Sequence, residues 1–266
     1  MLRDRLLGNV FTKAIRDWLL WTVIATIALV AIAAMYVGIM STAGDAYVQM
    51  MEDFPEALAN VYGTQDGTAT GMAMAAMYEI MGPIVLLAYA IGLGSSAAVG
   101  EEESGTLPIL LSSPLRRRSI LLAKTVVAAL GVVIITVAMW LAMELFTTIF
   151  AMDTAGYDVF GASVQLLGMV FLFGALALGV SAWRGSSALG IAAAAGLAVF
   201  SYFFTTMLPI VEDLAEVAKF TPWYLYTGAE AIYGGIDIVL LGIAALLAVA
   251  LFGGGMYTLE RRDLKG

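Results

Sequence analysis

Six long apolar stretches, at about 18–40, 72–98, 120–151, 161–183, 188–211 and 236–258, decide what this chain can become. Each supplies the roughly 20 residues that a helix needs to cross the hydrocarbon of a bilayer. The third is the longest and has length to spare for tilt or for projection beyond the membrane. Only 13% of the 266 residues are charged and 61% are hydrophobic, whereas soluble domains carry about 25% charged residues. The expectation is an all-α integral membrane protein, with residues 1–266 forming a single transmembrane domain of six helices.

The basic residues orient it. Arg3, Arg5, Lys13 and Arg16 precede the first stretch, and Arg116, Arg117, Arg118 and Lys124 follow the second. Arg184 lies between the fourth and fifth, and Arg261, Arg262 and Lys265 close the chain, so 12 of the 13 basic residues share one side and Lys219 is left on the other. Basic residues collect on the cytoplasmic face. A multi-pass protein of the plasma membrane with both termini cytoplasmic is expected. The loops around 41–71, 152–160 and 212–235 then face outward. They carry much of the acidity behind the formal charge of −8 and the pI of about 4.5. That acidic exterior is similar to proteins of salt-loving organisms.

Three segments outside the spans have patterns of their own. In residues 1–17, Leu2, Leu6, Val10 and Ala14 recur at helical spacing, with Leu7, Phe11 and Ile15 beside them. Arg3, Asp4, Asn9, Lys13, Arg16 and Asp17 fill the opposite face. This pattern predicts an amphipathic helix at the inner interface that leads into the first span. Asp53 before Pro55 suits the start of a short capped helix. Residues 208–235 combine mixed apolar spacing with Trp223, Tyr224 and Tyr226, as expected of a segment on, or dipping into, the outer interface.

Residues 100–118, GEEESGTLPILLSSPLRRR, place a short element between the second and third spans. Gly105 and Thr106 break one helix and can begin another. Pro108 is tolerated in a first turn, where its missing N–H costs nothing. Leu107, Ile109, Leu110 and Leu111 make about two turns before Ser112-Ser113-Pro114 ends them. A helix this short cannot span, so its apolar side chains need a groove or the lipid surface. Glu101–Glu103 on one side and Arg116–Arg118 on the other would fix its register in a partner's groove.

The Glu-Glu-x-x-Gly-Thr-Leu run, the Leu-Leu-Ser-x-Pro that follows, the arginines and Lys124 resemble the permeases of type-2 ABC exporters. The matching residues are Glu102, Gly105, Thr106, Leu107, Leu110, Leu111, Ser112, Pro114, Arg117 and Lys124. The likeness extends to the N-terminal helix, the six spans, the long segment before the sixth and the terminal Arg262-Asp263. Pro108 departs from it, standing where an acidic or polar residue is expected. The resemblance implies that this loop is a cytoplasmic coupling helix docking on a separate ATP-binding subunit through Glu102, Gly105, Thr106, Leu107, Leu110, Leu111, Ser112, Pro114 and Arg117. It also implies a second permease chain, identical or different, and a substrate path lined by the second and fifth spans.

The residues agree with a non-catalytic subunit. No G-x-x-x-x-G-K-[ST] phosphate loop is present. ATP and magnesium are therefore expected on the partner, and this chain needs no cofactor, metal or nucleic acid. With no histidine and no cysteine, a metalloprotease built on Glu101 and Glu102 has no metal ligands to complete it. The competing expectation is an ATP-independent secondary transporter or channel using intramembrane carboxylates. Glu79 and Glu144 each lie about seven residues from the outer end of a span, roughly 10 Å deep, where carboxylates are costly and usually functional. As a pair on adjacent helices they would share a proton or a cation; the alternative is that each simply faces a wet outer vestibule. Gly82-Pro83 predicts a kink that frees a carbonyl toward a neighbouring helix. Small residues at Gly92, Ser96 and Gly100, at Ala175 and Gly179, and at Gly185, Gly190 and Gly196 predict close helix packing within the subunit.

Overall fold

The computed structural model describes residues 2–52, 67–105, 117–210 and 215–262, and no strand occurs among them. Among the described residues, six helices are long and apolar enough to cross a membrane. They are α1 (Leu2–Glu52), α2 (Ala69–Glu103), α3 (Arg117–Ile149), α4 (Val159–Arg184), α5 (Ser187–Met207) and, last in the chain, α9 (Ile238–Arg261). Between α5 and α9 lie a 3-10 turn (Leu208–Ile210) and three one-turn helices, α6 (Ala215–Ala218), α7 (Tyr224–Thr227) and α8 (Ala231–Gly234).

The first helix departs from expectation at both ends. No break separates residues 1–17 from the span, and the segment from 41, read as the start of a loop, stays helical to Glu52. No proline falls in the helix, and its glycines stand alone. Hydroxyl groups near its far end close onto the helix itself: Ser41 Oγ and Thr42 Oγ1 donate to the Gly38 carbonyl at 2.9 and 3.1 Å. At 1.5 Å per residue the helix is about 76 Å long, so it projects beyond any bilayer core. The helix suggested by Asp53 and Pro55 lies outside the described residues.

Helix α4 is the hub. It packs most extensively against α9 and α2 and then against α5, while α1 pairs with α3. Its buried face carries Leu166, Met169, Val170, Phe173 and Ala177. Lipid is as apolar as these side chains, so close van der Waals fit is what holds such helices together. Each partner reaches α4 through a glycine. A Cβ on Gly94 of α2 would overlap the Gly174 carbonyl. One on Gly190 of α5 would lie 2.5 Å from the Ala177 carbonyl oxygen, and one on Gly255 of α9 would lie 3.1 Å from Gly179 Cα. Tyr89 of α2 lies over Gly131 of α3, and its hydroxyl shares a 2.6 Å hydrogen bond with Thr22 of α1.

Gly179 and Gly190 thus pack closely, as their spacing suggests. Gly92 and Gly196 do not: nothing lies within 4 Å of a Cβ built on either, and Gly100 meets only Ser96 of its own helix. The reason is angular. Gly94 is two residues, or about 200°, from Gly92 and so faces the other way. Spacing marked a stripe on α2, while contact with α4 uses the opposite face.

Gly94→Ala should therefore force α2 from α4 and lower stability by about 1–3 kcal/mol. Gly92→Ala should be neutral or slightly stabilising, because alanine is the better helix former. Thermal unfolding of the two variants in one detergent would check the contrast.

Candidate functional site

The charges around 100–118 oppose their own helices. A helix C-terminus carries a partial negative charge and an N-terminus a partial positive one. Yet α2 ends on three glutamates and α3 begins among arginines. Local helix energetics favours neither, so each cluster needs a partner elsewhere.

For the glutamates the structure supplies three. Glu101 pairs with Lys124 of α3. Glu102 pairs with Arg262, the cap residue at the end of α9. Glu103 accepts from both the backbone N–H and the hydroxyl of Ser187, at 2.8 and 2.5 Å, in the first turn of α5. The last contact uses a favourable dipole, since a carboxylate meets a helix N-terminus. Arg262 also donates to the Ala182 carbonyl of α4 at 3.1 Å. Its guanidinium lies against Gly185, where a Cβ would come 2.5 Å from Nη1. Gly185 ends α4 in the left-handed region, at φ 68°, which favours glycine in its own right. One polar node therefore joins α2, α3, α4, α5 and α9.

Of the residues expected to dock, Glu102 is thus held inside the chain by Arg262. Gly105 has φ 70° and ends α2, its N–H donating to the Glu102 carbonyl at 3.3 Å. Arg117 is half-buried at the first residue of α3. Thr106, Leu107, Leu110, Leu111, Ser112 and Pro114 lie outside the described residues. The ties made by Glu103, Ser187 and Arg262 escaped sequence reasoning. A signal was present in three acids ending a helix, which already demanded cations or N–H groups nearby.

A second polar cluster sits at the other end of the bundle. Residues Ala76–Met81 of α2 form a π-helical turn directly before Gly82-Pro83. The Gly82 N–H bonds to the Met77 carbonyl, and Pro83 has no N–H to give. The Tyr78 carbonyl therefore lacks a backbone donor, and the Tyr226 hydroxyl of α7 fills the place at 2.6 Å. This is the freed carbonyl that Gly82-Pro83 predicted, with its neighbour identified. Burial first, then nearby Tyr78 and Glu79, push the Tyr226 phenol well above its ordinary pKa, so it remains a donor. Ser163 donates to the Val159 carbonyl at 2.8 Å, so the Tyr78 hydroxyl donates to Ser163 Oγ, also at 2.8 Å. Residues 215–235 are anchored here. Trp223 and Tyr226 are buried, Trp223 packs edge-on against Tyr202 at 5.1 Å, and Gln165 Nε2 donates to the Leu225 carbonyl at 2.9 Å.

Glu79 is half-buried on the π turn, while Glu144 is exposed on α3. Among the described residues neither carboxylate makes a hydrogen bond or ion pair. The same residues contain no cluster of acids able to hold a metal ion.

Six helices long and apolar enough to cross a membrane, joined by polar nodes at both ends, are the architecture of a multi-pass membrane protein. The sequence model of the ABC-2 family transporter proteins matches residues 6–264, and the chain belongs to that family. Among curated relatives, it is 27% identical over 237 residues to a probable ABC transporter permease protein, NosY, of Pseudomonas aeruginosa strain PAO1. That match covers 77% of this chain and 83% of the relative. No solved structure matches significantly. The protein is thus a membrane permease subunit of an ABC transporter, a class whose ATPase resides on a partner chain.

Two measurements probe these nodes. Glu102→Gln and Arg262→Gln should each destabilise the bundle by about 1.5–3 kcal/mol, as loss of a charge-assisted hydrogen bond does. The double variant should cost clearly less than their sum, a coupling that a double-mutant cycle in detergent would measure. Tyr226→Phe should cost about 1–3 kcal/mol by leaving the buried Tyr78 carbonyl without its donor.

Proposed function

We propose that the chain is the permease subunit of an ATP-driven exporter in the plasma membrane, with both termini and the Glu101–Glu103 node cytoplasmic. Two such chains, identical or different, would bind two ATP-binding subunits and carry substrate between them. The second and fifth spans, α2 and α5, would line the path.

The observation that carries this reading is the position of the node. The proposed docking loop, residues 100–118, links the end of α2 to the start of α3. Glu101, Glu102 and Glu103 bind that end of α2 to α3, α9 and α5. A push on a docked coupling helix would enter α2 and α3 through the chain and reach α5 and α9 through the carboxylates. Closure of the ATP-binding subunits would then rock a linked set of helices between inward and outward states. Apolar Leu107, Leu110 and Leu111 would seat in the ATPase groove. Arg117 and its neighbours, disfavoured at a helix N-terminus, would meet acidic groups on its rim.

Purification of the tagged chain from its native membranes should bring down an ATP-binding subunit, identified by mass spectrometry. Leu110→Asp should remove that subunit and leave the permease folded. Absence of an ATPase with both forms would sink the reading. The orientation has its own check: protease-cleavable tags at either terminus should be protected in right-side-out vesicles and cut in inverted ones.

A further inference from the structure

We propose that the chain binds one zwitterionic phospholipid headgroup in a cavity between α1 and the ends of α2 and α3, with Lys13 holding the phosphate and Asp17 the ammonium. A partly enclosed cavity of about 220 Å³ lies there. Its wall is drawn from three helices: Lys13, Asp17 and Trp18 of α1, Ser96, Gly100 and Glu101 at the end of α2, and Lys124 of α3.

Depth points to a lipid. All three helices pass from apolar to charged sequence at the level of the cavity. On α1, Asp17 is followed by half-buried Trp18 and by exposed Leu19, Leu20 and Trp21, which suit acyl chains. The cavity therefore opens where headgroups lie, with Trp18 at the boundary that tryptophan favours. Its volume is many times the roughly 10–15 Å³ that one water needs on the same measure. That suits a phosphoethanolamine-sized group whose acyl chains remain outside.

Charge selects the class of headgroup. The wall carries two cations and two anions, and Lys124 and Glu101 are already paired. Lys13 and Asp17, both exposed, remain one helical turn apart on the same face, and among the described residues no ion pair joins them. An isolated anion would meet Asp17 and Glu101 as well as Lys13, and an isolated cation would meet Lys13. A group bearing both signs satisfies both residues with charge-assisted hydrogen bonds.

Gly100 provides a direct test, because a Cβ there meets only Ser96 at 3.6 Å and a larger side chain would fill the cavity without backbone strain. The full-length chain in mild detergent would be titrated with dioleoylphosphatidylethanolamine or dioleoylphosphatidylglycerol, and bound lipid counted by native mass spectrometry. Wild type should retain one phosphatidylethanolamine in preference to phosphatidylglycerol. Gly100→Leu should abolish that retention, and Lys13→Gln or Asp17→Asn should weaken it about tenfold, the effect of one lost charge-assisted bond. Gly92→Leu, on α2 away from the cavity, should retain the lipid, and matching melting temperatures would show that all variants fold. Equal retention of both lipids, or full retention by Gly100→Leu, would overturn the proposal. Displacement by millimolar free phosphoethanolamine would assign the cavity to a soluble zwitterion and overturn the lipid assignment.

Discussion

The bundle depends on resolving an electrostatic conflict at the end of α2. Three carboxylates at a helix C-terminus repel one another and the dipole behind them. They are tolerable because each is neutralised by a different helix: Lys124 on α3, Arg262 on α9 and the N-terminal turn of α5. The same contacts that remove the repulsion decide which helices end together. Elsewhere the charges follow the dipole. Asp158 and Asp237 cap the N-termini of α4 and α9, and Arg184 and Arg261 lie in their last turns. For these two helices the expected placing of basic residues on the cytoplasmic side and the preference of the dipole coincide. For α2 and α3 they do not, and that exception marks the loop between them.

Above the node, cohesion is a matter of fit. Glycines let α2, α5 and α9 approach the backbone of α4, and a Cβ at Gly94 would meet backbone atoms that cannot turn aside. Several buried hydroxyls add little to association, because they close onto their own helices, as Thr136 does onto the Val132 carbonyl at 2.9 Å, whereas the Tyr78 hydroxyl joins α2 to α4 through Ser163. Burial is uneven: 61% of the apolar window of α2 is covered, against 17% in α1 and 11% in α9. The bundle thus has a tightly packed centre and exposed flanks.

At the opposite end, backbone chemistry sets the constraint. Pro83 deletes a donor, the π turn redirects the N–H that might have replaced it, and a tyrosine from the segment before α9 completes the count. In a bilayer core an unsatisfied carbonyl is costly. The bond to Tyr226 therefore pins residues 215–235 to the bundle and places Trp223 among Tyr202 and Phe173. It also sets Glu79 on a π turn, a local geometry that recurs at functional sites.

Much of this was legible in the chain itself. Six apolar stretches determined six helices, because their length and the cost of bare backbone in lipid leave little else. The acid–Gly-Thr–Leu-Leu-Ser–Arg pattern at 101–118 identified the family, and Gly82-Pro83 announced a freed carbonyl. These are local properties, written in consecutive residues. Tertiary structure alone decided the partners. That Glu102 meets Arg262, 160 positions away, that Tyr226 serves Tyr78, and that Gly94 rather than Gly92 faces α4 all depend on how helices rotate and pair. Helical spacing gives a residue its face, but only packing gives that face a neighbour.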